Sequence, residues 1–199
     1  MSKAFRNAVI KKWPDTIYVD GCFVQMPISH VATGFCIERP PSGAYLWRFL
    51  YPLYVPSESF HLTFSNRLPP PNGFISLPGQ RSAQELADEF ITRIAPHREA
   101  VRSLSNLENF KKYLETECSL KSPFTREGYA MTLVMLGKGD AAMESLQMLS
   151  NDPILCRDLP DLIGNVDNII EALSVSVGNA RELLGRWEAQ ARRRIGQPE

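Results

Sequence analysis

Histidine and cysteine are scarce in this 199-residue chain, and neither sign of charge prevails: three histidines, four cysteines, 22 Lys+Arg against 22 Asp+Glu. Each shortage removes a class of activity. Cys22, Cys36, Cys118 and Cys156 are far apart and form no C-x-x-C pair, so no zinc knuckle or redox dithiol is spelled out. His30, His61 and His97 stand at no ligand spacing, and a metal would have to conscript Cys22, Cys36 or Glu38. No metal and no cofactor are therefore expected. There is no G-x-S-x-G, which excludes the usual hydrolase elbow. Gly137-Lys138-Gly139-Asp140 lacks both the Walker spacing and a preceding strand, so it reads as a helix stop and a new cap. Acids in the first 80 residues are limited to Asp15, Asp20, Glu38 and Glu58 without a D-x-D pair, which leaves a two-metal nuclease unsupported. Asp152, Asp158, Asp161 and Asp167 are interrupted by Pro153 and Pro160 and read as caps and solvated faces. The longest apolar run, 130–136, is too short to span a bilayer, and the opening MSKAFRNAVIKKWPD lacks the apolar centre of a signal peptide. These absences lead to the expectation of a soluble, cytoplasmic protein with free thiols and no membrane partner. Balanced charge argues against a dedicated nucleic-acid binder.

What is present changes character near Arg81. Residues 1–80 hold 13 of the 19 aromatics and 10 of the 15 prolines, with seven Lys/Arg against four Asp/Glu. Residues 81–199 carry fifteen against eighteen and read almost wholly as helix. The expected fold class is α+β: an N-terminal helix, a four- to five-stranded antiparallel sheet over about 15–65, then a C-terminal multi-helix layer ending in one long amphipathic helix. The expected division is 1–80 for helix plus sheet and 81–199 for helices, packed as one unit.

The local signals are specific. Phe5, Val9 and Trp13 mark one face of a helix over 3–12 that Pro14 ends. Asp20-Gly21 predicts a hairpin between strands at 16–19 and 22–26. Alternation predicts strands at 30–39, 44–51 and 59–65, and Leu68–Gly79 reads as a proline-rich linker tied down on the core by Phe74, Ile75 and Leu77. Ser82…Glu85 and Ser105…Glu108 read as capping boxes, Ser122-Pro123 as a helix start, and Asp140 and Asp152 as caps. Leu162, Val166, Ile169, Leu173, Val177, Ala180, Leu184 and Trp187 form one apolar stripe, which predicts a single helix. Gly128-Tyr129, Leu136-Gly137 and Ala141-Ala142 resemble part of one tetratricopeptide repeat; no second copy follows at that period, so the resemblance implies a packed helical hairpin and no peptide groove.

The densest chemistry is Phe49–Phe60, FLYPLYVPSESF, where aromatics and prolines crowd the exit of a strand. Trp47, Phe49 and Tyr51 share one face and Leu46 and Leu50 the other, so both faces are apolar and one could remain open as a docking patch. The leading expectation is a non-catalytic protein-binding module, such as a regulator, adaptor or toxin-neutralising immunity protein. Its partner-binding candidates are Trp47, Arg48, Tyr51, Tyr54, Phe60 and Arg67, because aromatics and arginine dominate hot spots. One alternative is an enzyme with a site near His30, His61 and Cys36. Another is a single-stranded nucleic-acid binder that stacks bases on the same aromatics beside Arg39, Arg48 and Arg67.

Overall fold

The computed structural model describes residues 1–39, 43–57, 61–76 and 81–196, with an N-terminal helix, an antiparallel sheet and a run of helices in that order. The chain divides into two compact units. One comprises Met1–Tyr51 and Phe60–Ser105; the other comprises Pro52–Ser59 and Asn106–Glu199.

The first unit opens with α1 (Lys3–Lys12), capped by the Ser2 hydroxyl, which accepts from the Phe5 amide. Strands β1 (Thr16–Val19) and β2 (Cys22–Gln25) follow as a hairpin. Asp20 and Gly21 both take positive φ (45° and 91°), the geometry a two-residue primed turn requires. β3 (Val31–Glu38) and β4 (Gly43–Pro52) continue the sheet, and β4 is bordered further out by both β5 (Asn66–Arg67) and β6 (Phe74–Ser76). The strand read from sequence at 59–65 is displaced. Residues 61–65 are in no strand and turn at Thr63 and Phe64, 59 and 60 lie outside the described residues, and pairing resumes at Asn66. The alternation Leu62/Phe64 is real, but it serves a turn in which Phe64 is buried and Leu62 exposed. Conversely, the proline-rich stretch hides β6, whose Ile75 enters the core; Leu77 lies outside the described residues.

Pleating sorts the sheet into two faces. Phe23, Phe35, Ala44, Leu46 and Ile75 face α1, α2 (Ala83–Ile94) and α3 (Arg98–Ser103), meeting Phe5, Val9, Trp13, Phe90, Ile94 and Val101 in one core. Aromatic rings there meet edge-on or tilted, as for Phe5–Phe23 at 6.0 Å and Phe23–Phe90 at 5.2 Å. Gly34 permits the close approach of β3 to β2: a Cβ there would overlap the Phe23 carbonyl. The expected capping box at Ser82 is present in full.

The opposite face carries a correction to the free-thiol expectation. Cys22 and Cys36 are directly opposed in the β2–β3 register and form a disulfide, with Cα atoms 4.2 Å apart. Sequence spacing gave no sign of it, because the pairing is set by strand register alone. Cys118 and Cys156 are not in a disulfide.

The helical unit contains α4 (Leu107–Glu117), α5 (Pro123–Met135), α6 (Gly139–Ser150), α7 (Pro153–Asp158), α8 (Pro160–Val175) and α9 (Val177–Arg194). α5 lies at its centre, touching α4, α6, α8 and α9 and burying nine of its residues. α5 and α6 form the packed hairpin expected from the sequence, turning through Gly137 at φ 77°. Two caps shift by one residue or more: Asn106 caps α4 in place of Ser105, and α6 begins at Gly139 with Asp140 inside its first turn. The stripe from Leu162 to Trp187 is divided at Ser176, whose extended backbone (φ −170°, ψ 158°) ends α8 and caps α9. Two β-branched valines flank a serine whose hydroxyl competes for a backbone amide, accepting from Asn179 N at 3.0 Å. The chain still closes on a long helix, α9, of 18 residues. No helix among the described residues is long and apolar enough to cross a membrane.

Candidate functional site

On the sheet face away from α1, Tyr45 and Trp47 of β4 stand two residues apart, and Arg67 of β5 sits opposite Trp47 in register. The Arg67 guanidinium lies 4.1 Å from the Tyr45 ring centre and 5.0 Å from that of Trp47. Glu38, at the end of β3, ties this group together. Its Oε2 accepts from Trp47 Nε1 at 2.9 Å and from Arg67 Nη2 at 3.0 Å. Phe74 of β6 extends the aromatic row, 5.1 Å from Tyr45. Each cation–π contact at such an exposed position contributes only about 0.5–1 kcal/mol, so the group's main effect is to hold a rigid, half-open aromatic surface. Tyr45, Trp47 and Phe74 are half-buried and Arg67 is exposed.

Two hollows flank this group. A cleft of about 580 Å³ lies between Tyr45, Leu68, Pro70, Pro71, Phe74 and Arg93 of α2. Arg93 pairs with Glu89 at 3.0 Å and donates to the Pro71 carbonyl, while Glu89 also pairs with Arg81. The cleft is thus apolar inside and carries paired charges at its rim. A smaller hollow of about 180 Å³ lies between Trp47, Phe49 and Glu38 on one side and the Cys22–Cys36 bridge on the other.

Of the six candidate anchors, the structure brings Trp47 and Arg67 together. Arg48 follows Trp47 on the strand and so points to the other face, half-buried. Tyr51 is buried against the rings of Phe49 and His61. Tyr54 is fully buried in the helical unit, bonded through its hydroxyl to Thr132 at 2.7 Å. A side chain with no exposed surface cannot anchor a partner without rearrangement. Phe60 lies outside the described residues. Tyr45 was readable from the same alternation that places Trp47, whereas Phe74, expected on the core, lies half-buried beside Tyr45 instead.

The Cys36–histidine alternative meets a chemical obstacle. A sulfur held in a disulfide is not a thiolate nucleophile, and Cys36 is bonded to Cys22. His61 is packed between Tyr51 and Phe64, its buried Nδ1 without a hydrogen-bond partner, and burial pushes its pKa below the ordinary histidine value. His97 bonds Asn72 at 3.2 Å. Among the described residues, no three His, Cys, Asp or Glu side chains gather as a metal site.

The sequence reading passed over a second location. In the helical unit, Glu127 of α5 is buried, and its Oε1 accepts a long bond from Asn165 Nδ2 of α8 at 3.4 Å. Burial lifts its carboxyl pKa to about 7, against the smaller lowering effect of Asn165. Asn165 also lines a cleft of about 460 Å³ with Ser57, Asp161, Trp187, Gln190 and Arg194. Nearby on α9, the buried Glu188 takes Arg192 in an ion pair of 2.6 Å. Glu127 was legible only as a polar residue in an apolar helix, a pattern without a motif.

No family model, no curated protein and no solved structure matches this chain.

Proposed function

We propose that the protein is a non-catalytic protein-binding module whose contact surface is the Tyr45–Trp47–Arg67–Phe74 face and the cleft beside it. The observation that supports this most is the Glu38 carboxylate holding Trp47 and Arg67 at once. It pre-orders two residue types that dominate interface energetics, so less entropy is lost on docking. The paired state of Arg67 favours a protein partner over a nucleic-acid strand, since Glu38 already neutralises the charge a phosphate would seek. A regulator, adaptor or immunity-type role fits such a surface equally.

The cytoplasmic setting expected from the sequence stands against the Cys22–Cys36 bridge, which persists where thiols are not kept reduced. Counting free thiols in protein taken from its native compartment decides between the two.

The test is comparative affinity capture from the source proteome with wild type, Trp47→Ala and Arg67→Ala, followed by titration of each purified candidate partner. A partner whose Kd weakens by about tenfold or more in both variants, at unchanged folded-state spectra, supports the reading. Captured proteins that bind all three forms alike would refute it.

A further inference from the structure

The cleft in the helical unit has a composition unlike the sheet surface. On one side stands the half-buried indole of Trp187 from α9. Around it are the amides of Asn165 and Gln190, the carboxylate of Asp161 and the guanidinium of Arg194. Arg194 donates to the Ser57 carbonyl, which fixes it at the cleft mouth. The two charged groups oppose one another, so the lining carries no net charge. The volume, about 460 Å³, lies within the range of small-ligand sites.

Glu127 gives this cleft an internal polarity. One Asn165 Nδ2–H donates to Glu127 Oε1, which holds the amide while its second N–H and its Oδ1 stay available as donor and acceptor. Asp161 also accepts, Arg194 donates, and Gln190 does both. The lining therefore combines one aromatic side chain with several hydrogen-bond donors and acceptors. A ligand that satisfies both needs an apolar face and a perimeter of groups that donate and accept at the same atom. Hydroxyls do this; the face of a pyranose ring, made of C–H groups, supplies the rest. With one carboxylate and one guanidinium in the lining, a charged ligand meets no net counter-charge there.

We infer that the Trp187–Asn165 cleft is a binding site for a neutral saccharide unit, with the indole as the platform, Asp161 and Asn165 Oδ1 as acceptors, and Glu127 as the residue that positions Asn165. The site is lined by residues of the helical unit alone and does not depend on the role of the sheet surface.

The experiment is a nitrogen–proton correlation titration of the full chain with methyl β-glucoside, methyl β-galactoside and N-acetylglucosamine, with adenosine as comparator. The expected result is saturable movement of the Trp187 indole N–H with at least one saccharide, in the millimolar range usual for single-residue ligands, about 1–10 mM. Asn165→Ala should weaken it by about tenfold or more, and Trp187→Ala, which lacks the indole signal, should weaken the saccharide-dependent shifts of the Asn165 and Gln190 side-chain amides to the same extent. Should either variant misfold, Gln190→Ala, at an exposed position, should weaken binding several-fold with an otherwise unchanged spectrum. Glu127→Gln retains the acceptor for Asn165 and should bind as wild type does, whereas Glu127→Ala should not. No saturable movement by about 100 mM, movement with adenosine alone, or undiminished binding in the folded Asn165→Ala or Gln190→Ala protein would overturn the assignment.

Discussion

Glu127 concentrates the residue-scale physics. Its carboxyl keeps a proton in the folded protein up to about pH 7, whereas the unfolded chain releases it near 4.5. Between those values the folded state binds more protons, so stability falls as pH rises through this interval and is flat above it. The Glu127→Gln protein loses this titration and should be more stable by on the order of 3 kcal/mol near pH 8, with the difference vanishing near pH 4.5. Urea midpoints of the two proteins across that range check it; a gap independent of pH would contradict it. His61 is lowered by burial and acts with the opposite sign, but it is present in both proteins and cancels in the difference. Tyr54 gives a second residue-scale expectation. Thr132 spends its one hydroxyl proton on the Gly128 carbonyl at 2.6 Å, so Tyr54 must donate to Thr132. Burial raises the phenol's pKa far above its ordinary value, which keeps that proton in place. Tyr54→Phe should cost about 1 kcal/mol without changing the fold, read by denaturant midpoint at constant slope. These residues were the least legible in the sequence: Tyr54 looked like a surface anchor because its neighbours are prolines, and nothing local reports that a helix covers it.

At the scale of elements the sequence spoke most clearly where the signal was local. Asp20-Gly21, the capping box at Ser82 and the Pro123 helix start depend on a few neighbouring backbone groups, and each stands where its residues place it. It misled where periodicity ran across a break. The stripe from Leu162 to Trp187 is continuous in side-chain chemistry, yet Ser176 ends one helix and starts the next. Its hydroxyl caps α9, so Ser176→Ala should destabilise that helix by about 1 kcal/mol. Amide hydrogen exchange would show the loss as faster exchange at Val177–Ala180; unchanged rates there would rule out the cap. The strand expected at 59–65 failed for a related reason. Alternation reports which side chains are apolar, and a turn that buries Phe64 satisfies the same pattern without a ladder. β6 lay hidden in a proline-rich stretch because only three of its residues pair, at a sheet margin where proline neighbours are tolerated.

For the whole molecule, packing draws its own boundaries. α2 and α3 gather with the sheet, and Pro52–Ser59 with the later helices, although composition changes near Arg81. The Cys22–Cys36 bridge belongs to this scale, because strand register brings together sulfurs fourteen residues apart. Non-reducing alkylation and intact mass should count two reactive thiols, Cys118 and Cys156, rising to four after reduction. The Cys22→Ser, Cys36→Ser protein should lose up to about 3 kcal/mol, the figure for a loop of this length; four reactive thiols without reductant would dismiss the bridge. The sequence by itself determined the α+β class, the order of helix, sheet and helices, the two apolar sheet faces and the capping box at Ser82. Those depend on residue periods and on backbone groups within a few positions. Only the tertiary structure decided that Trp47 and Arg67 share a surface while Tyr51 and Tyr54 do not, that Cys36 is bonded, and that a carboxyl in α5 lies buried beside an amide of α8. Exposure, register and desolvation arise between segments distant in the chain, and a one-dimensional pattern records which residues can be covered but not by what.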